Sequence, residues 1–144
     1  MGRLQITKEF RFEMSHALEG YQGLCKNIHG HSYLLAVTVE GQVCADPSAS
    51  HYGMLMDFST LKSIVNKLVV DPWDHALMIR KDSSMAAKLA DLNTKMVWTD
   101  FQPTCENMVQ EVAKRIAPEL PEGVRLFSVK LHETASSYAE YFPQ

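Results

Sequence analysis

Two stretches of two-residue alternation limit what this chain can become more than anything else in it. From Leu4 to His16 the even positions read Leu4, Ile6, Lys8, Phe10, Phe12, Met14, His16, while Gln5, Thr7, Glu9, Arg11, Glu13 and Ser15 stand between them. From His29 the odd positions read His29, His31, Tyr33, Leu35, Val37, Val39. Successive side chains of a strand point to opposite faces, so each run predicts a strand with one apolar face and one polar face. Neighbouring strands commonly pair antiparallel. Here that pairing brings His16, which ends the first run, to the same end of the hairpin as His29 and His31, which begin the second. Three imidazoles then share one end and one face, and the connection between the strands carries Cys25.

Beyond the hairpin the period changes. Leu61, Ile64, Val65 and Leu68 follow helical spacing, with Asp57 or Ser59 as N-cap and Asp71-Pro72 expected to stop the helix. Met108, Val109, Val112, Ala113 and Ile116 form a second helical stripe after Pro103-Thr104, ending before Pro118. Between the two, residues 83–92 predict a short helix and 95–98 a short strand. Phe127, Val129, Leu131 and Glu133 alternate on a third main strand, and 137–142 predict a fourth after a tight turn. The order β-β-α-α-β-β implies an α+β fold: an antiparallel four-stranded sheet with helices on one face.

A chain of 144 residues fits one domain, taken as 1–144. With 22% charged residues and a net charge of -3, there is no electrostatic reason to expect nucleic acid or an anionic membrane as partner. No apolar run approaches the roughly 18 residues of a membrane span, and the N-terminal stretch does not read as a signal peptide. A cytoplasmic location is therefore the expectation. Cys25, Cys44 and Cys105 are too few and too scattered for a disulfide framework, so free thiols are expected.

The three histidines carry the sharpest chemistry. A single histidine on an apolar face is ordinarily a hydrogen-bonded core residue, but three at one end of a hairpin repel one another when protonated and leave lone pairs unused when neutral. A metal site is the expectation. Imidazoles at this density suit zinc, with iron or nickel as the other ions such a set accepts, and three protein ligands leave a position open for catalysis. Cys25 has two readings: a fourth ligand that closes the tetrahedron, or a base or nucleophile just outside it, its thiolate favoured by the cation and by Lys26. Asp74-His75 forms a second titratable pair. Glu133 keeps the apolar parity of its strand, where a carboxylate is costly unless paired, and so suits a guanidine-like ligand edge that donates two N–H bonds. Glu106 lies in the first turn of the second helix, where the helix dipole favours a carboxylate in any case.

Six blocks in this order, SHAL at His16, CKNIHGHSY at Cys25, GMLMDF at Gly53, DHAL at Asp74, PTCEN at Pro103 and HET at His132, resemble the 6-pyruvoyl- and 6-carboxytetrahydropterin synthases over nearly the whole chain. The resemblance implies the tunnelling fold, ββααββ, whose subunits assemble into a β-barrel, commonly a hexamer, with active sites between subunits. It implies zinc on His16, His29 and His31, with Cys25 as catalytic base rather than fourth ligand. It also implies a relay through His75 and Asp74, with Glu133 anchoring the pterin and Thr104 and Glu106 as further pocket residues.

The substrate it implies is 7,8-dihydroneopterin triphosphate, with no nicotinamide or flavin. Only Lys26, Asn27 and Ile28 separate Cys25 from His29, which resembles the carboxy-forming branch that serves queuosine precursor synthesis and releases acetaldehyde and triphosphate. The pyruvoyl-forming synthases are the alternative. A non-catalytic zinc module closed by Cys25 and the three histidines is a more distant one.

Overall fold

The structure is a computed structural model and describes residues 2–144. Strands β1 (Leu4–His16) and β2 (His29–Gly41) pair antiparallel over their full lengths, from Leu4 opposite Gly41 to His16 opposite His29. Phe10, Phe12 and Met14 of β1 and Tyr33, Leu35, Val37 and Val39 of β2 are buried on one face, as the alternation predicts. Strand β5 (Arg125–His132) adds antiparallel to β2, and β6 (Tyr138–Tyr141) adds antiparallel to β5.

The sheet is larger than the sequence suggests. It has six strands in the order β4-β3-β1-β2-β5-β6, where β3 (Leu77–Arg80) runs parallel to β1 and β4 (Met96–Thr99) parallel to β3. The four-stranded, wholly antiparallel expectation is therefore corrected to a mixed six-stranded sheet. Strand β3 has no period of two because both its faces are covered. Met78 joins the main core, while Leu77 and Ile79 pack with Ala17 and Leu89 in a second, smaller core. That second core also places the short helix α3 (Ala86–Ala90), so helices do not all lie on one face.

Helix α1 (Phe58–Val65) starts where Asp57 Oδ1 accepts from the Ser59 amide at 2.8 Å. It does not stop at Asp71-Pro72. A π-turn (Asn66–Val70) and a last helical turn, α2 (Asp71–Trp73), carry the run past the proline. Proline has no N–H to give the Leu68 carbonyl. Arg115 Nη1 donates to that oxygen instead, at 2.9 Å, with its guanidinium over the Trp73 ring. Helix α4 (Cys105–Ile116) has Thr104 as N-cap, whose hydroxyl accepts from the Asn107 amide at 3.2 Å, and it buries the predicted stripe.

A bulge separates two registers of β5 against β2. Val39 faces Leu126 and Thr38 faces Ser128, so Phe127 is an extra residue. Phe127 leaves the core parity expected of it and packs edge-on against Phe142, with the Arg3 and Arg125 guanidinium groups over its ring. Beyond the bulge Val129 and Leu131 return to the core.

Candidate metal centre and cleft

The hairpin register alone puts the imidazoles together, since His16 lies directly opposite His29, and His31 is two residues further along the same face. One ring nitrogen from each of His16, His29 and His31 lies within 4.8 Å of the others. His16 Nε2 and His29 Nε2 approach to 3.2 Å. Their other nitrogens are held by backbone: His16 Nδ1 donates to the Pro103 carbonyl and His29 Nδ1 to the Asn27 carbonyl, each at 2.7 Å. Such bonds fix tautomer and ring orientation in metal-binding histidines and leave Nε2 lone pairs facing inward. His31 Nε2 is buried and makes no well-aligned hydrogen bond, with Glu133 Oε1 3.1 Å away as an ion-pair neighbour. Converging lone pairs and a buried nitrogen without a well-aligned hydrogen bond fit a divalent cation such as zinc.

His16 is only 2% exposed. Burial lowers its pKa, the Pro103 and Glu133 contacts oppose the shift, and the neighbouring rings add to it. His31 is lowered likewise, first by burial and then by His29, against the pull of Glu133. Neutral rings are the ligand form. The sign of the pH effect follows. An unfolded chain takes up the His16 proton near pH 6.5, before the folded one does, so stability is full above that value and declines as the pH falls towards the lower folded pKa. The melting temperature of chelator-treated protein should therefore fall between pH 7.5 and pH 5.5, values that bracket the ordinary imidazole pKa. A flat profile would contradict a buried neutral His16.

Cys25 sits in a single 3₁₀ turn (Leu24–Lys26) of the long β1–β2 connection, partly exposed, and does not belong to the histidine cluster. Glu133 follows β5 directly, and its Oε1 is 3.1 Å from His31 Nε2. The apolar parity of its strand has carried the carboxylate to the histidine cluster. It also borders a cleft of about 500 Å³ with Cys105, Glu106 and Tyr138. Glu106 thus lines the same cleft as Glu133, whereas the Thr104 hydroxyl is engaged as helix cap and does not line it. Cys105 is a cleft residue that sequence reasoning passed over. Its place on the buried stripe of α4 was the available signal. Its thiol donates to the Leu131 carbonyl at 3.1 Å, and burial pushes its pKa up to about 11, so it stays protonated.

Asp74 and His75 leave the end of α2 on the other side of the hairpin end. Asp74 Oδ1 accepts from the Glu13 amide at 2.9 Å and lies 3.1 Å from His75 Nδ1. The Glu13 bond is the main cause of a lowered Asp74 pKa. His75, with φ at 64°, borders a second hollow of about 400 Å³ together with Glu13, Ser32 and His31.

The family model described as 6-pyruvoyl tetrahydropterin synthase matches residues 5–144. A 6-carboxy-5,6,7,8-tetrahydropterin synthase of Haemophilus influenzae is 38% identical over 141 residues, covering 95% of this chain and 97% of the relative. One of Aquifex aeolicus is 31% identical, covering 95% and 96%. Among solved structures, the 6-pyruvoyl tetrahydropterin synthase of Caenorhabditis elegans superposes with a TM-score of 0.70 at 23% identity, covering 100% of this chain and 98% of that one. The Plasmodium vivax synthase gives 0.75 at 17% identity, covering 100% and 99%, and at that identity the likeness concerns the fold.

Proposed function

Because this chain belongs to the 6-pyruvoyl tetrahydropterin synthase family, we propose that it converts 7,8-dihydroneopterin triphosphate and water to 6-carboxy-5,6,7,8-tetrahydropterin, acetaldehyde and triphosphate. The observation that carries the reading is the convergence of three imidazoles beside a carboxylate that opens onto a cleft. His16, His29 and His31 hold zinc, which when bound acidifies substrate hydroxyls as a Lewis acid. Glu133 accepts two N–H bonds from the pterin ring, and a ring anchored there lies next to the metal centre. Glu106 adds negative potential to the same cleft, and Thr104 supports it by fixing the start of α4. Cys25 removes a side-chain proton of the substrate as base, and His75, held against Asp74, carries protons between substrate and water. The redox change stays within the substrate, so no nicotinamide or flavin takes part.

The carboxy-forming outcome is favoured by the curated relatives, which carry that name, and by the three-residue tether between Cys25 and His29. Strands β4 and β6 end the sheet with unpaired edges, and pairing between copies into a barrel, as a hexamer with sites between subunits, is one way to cover them. No helix among the described residues is long and apolar enough to cross a membrane, in keeping with work in the cytoplasm. Incubation with 7,8-dihydroneopterin triphosphate should release acetaldehyde in step with a carboxylated product identified by mass. A pyruvoyl product without acetaldehyde would assign the protein to the pyruvoyl-forming branch.

A further inference from the structure

We propose that Lys95 is a positioning residue for the reaction: its ammonium group clamps the backbone that presents Asp74 and His75. The inference rests on the reading of those two residues as a proton relay.

The chain leaves α2 by an unfavourable route. His75 has φ at 64°, a left-handed conformation that crowds the Cβ of a non-glycine residue against the following carbonyl. The helical pattern breaks at the same point. Asp74 N still donates to the Val70 carbonyl at 2.7 Å, but His75 N turns away to the Glu13 carbonyl at 2.6 Å. That turn takes from the Asp71 carbonyl the donor a continuing helix would have given it.

Lys95 makes good the loss. Its Nζ donates to the Asp71 carbonyl at 2.6 Å and to the Asp74 carbonyl at 2.7 Å, so one cation bridges both sides of the break. A cation at a helix C-terminus is favoured by the dipole, and charged hydrogen bonds are stronger than neutral ones. The root of the side chain is held as well, because the Lys95 carbonyl accepts from the Leu77 amide at 3.0 Å, where β3 begins. An exposed lysine has no packing reason to fold back over distant backbone, and this one joins the β3–β4 unit to the Asp74-His75 corner. The carboxylate is fixed from the opposite side by the Glu13 amide. The dipeptide thus sits between β1 and Lys95, and without the lysine the Asp71 and Asp74 carbonyls lose the cation that joins them.

The test compares zinc-loaded K95M, K95R, H75A and the K95M/H75A double variant on 7,8-dihydroneopterin triphosphate, with K95Q as a second uncharged replacement should K95M fail to fold. A misplaced relay lowers kcat rather than substrate binding. K95M is therefore expected to lose roughly 10- to 100-fold in kcat, with KM little changed and zinc content intact, and K95R to recover most of the loss. In the H75A background K95M should add no further loss, since both act through one group. Hydrogen exchange in the peptide spanning 71–77 should quicken in K95M. Wild-type kcat in K95M beside a crippled H75A would overturn the role of Lys95 and leave the relay standing. An equal fold-loss in both backgrounds would overturn it too, marking a general structural defect. Full activity in H75A would remove the relay and the positioning role together.

Discussion

Cys25→Ala should keep its fold, its zinc and its affinity for the pterin while losing at least about 100-fold in turnover, the lower end of what a general base contributes. Two features lead to this expectation. Cys25 is not among the side chains whose donor atoms converge, so its removal takes nothing from the metal. It lies on a partly exposed turn of the connection rather than in the core, so its loss leaves no cavity. Zinc analysis and turnover measured on one preparation separate the two readings of this residue. Loss of zinc together with activity would make Cys25 a ligand and the centre a closed one.

The second large effect is expected from His29→Ala. Wild-type protein should hold about one zinc per chain in a three-histidine site, and the variant should bind it more than about 100-fold more weakly, since even outer partners of metal ligands cost 10- to 100-fold. His29 is the choice because its Nε2 is 3.2 Å from that of His16 and its Nδ1 is bound only to a backbone carbonyl. The substitution therefore deletes one ring donor, and the one side-chain contact it breaks is that with His16 Nε2 inside the same cluster. Turnover should fall with the metal and should not return at zinc concentrations that saturate the wild type. Full zinc occupancy in the variant would dismiss the site.

The histidine cluster was legible in the sequence because it is a product of register. Two long amphipathic strands joined as a hairpin leave one pairing that buries both apolar faces, and that pairing sets His16 against His29. Helix α4 was legible for a similar reason, its apolar stripe being local, whereas the cap at Thr104 emerged only from the structure. What orients the site was not. The Pro103 and Asn27 carbonyls that hold two imidazoles are backbone atoms, carried by every residue alike. The Lys95 contacts span 24 and 21 residues. Strand β3 escaped because four residues covered on both faces have no alternation to display. The helix expected to stop at Asp71-Pro72 runs on because Arg115, 47 residues away from Leu68 in sequence, supplies the donor that proline lacks.

The extra residue in β5 makes this strand unequally tolerant of changes in length. Phe127 stands outside both registers, so a chain lacking it can pair Leu126 and Ser128 with Val39 and Thr38 as they already pair. A residue lost at Lys130 has no such reserve beside it. Leu131 and Glu133 would exchange faces with their neighbours, and the carboxylate now 3.1 Å from His31 would turn away from the histidine cluster. Insertions and deletions in related chains should therefore gather on the Arg125 side of the bulge, while the spacing from Val129 to Glu133 stays constant.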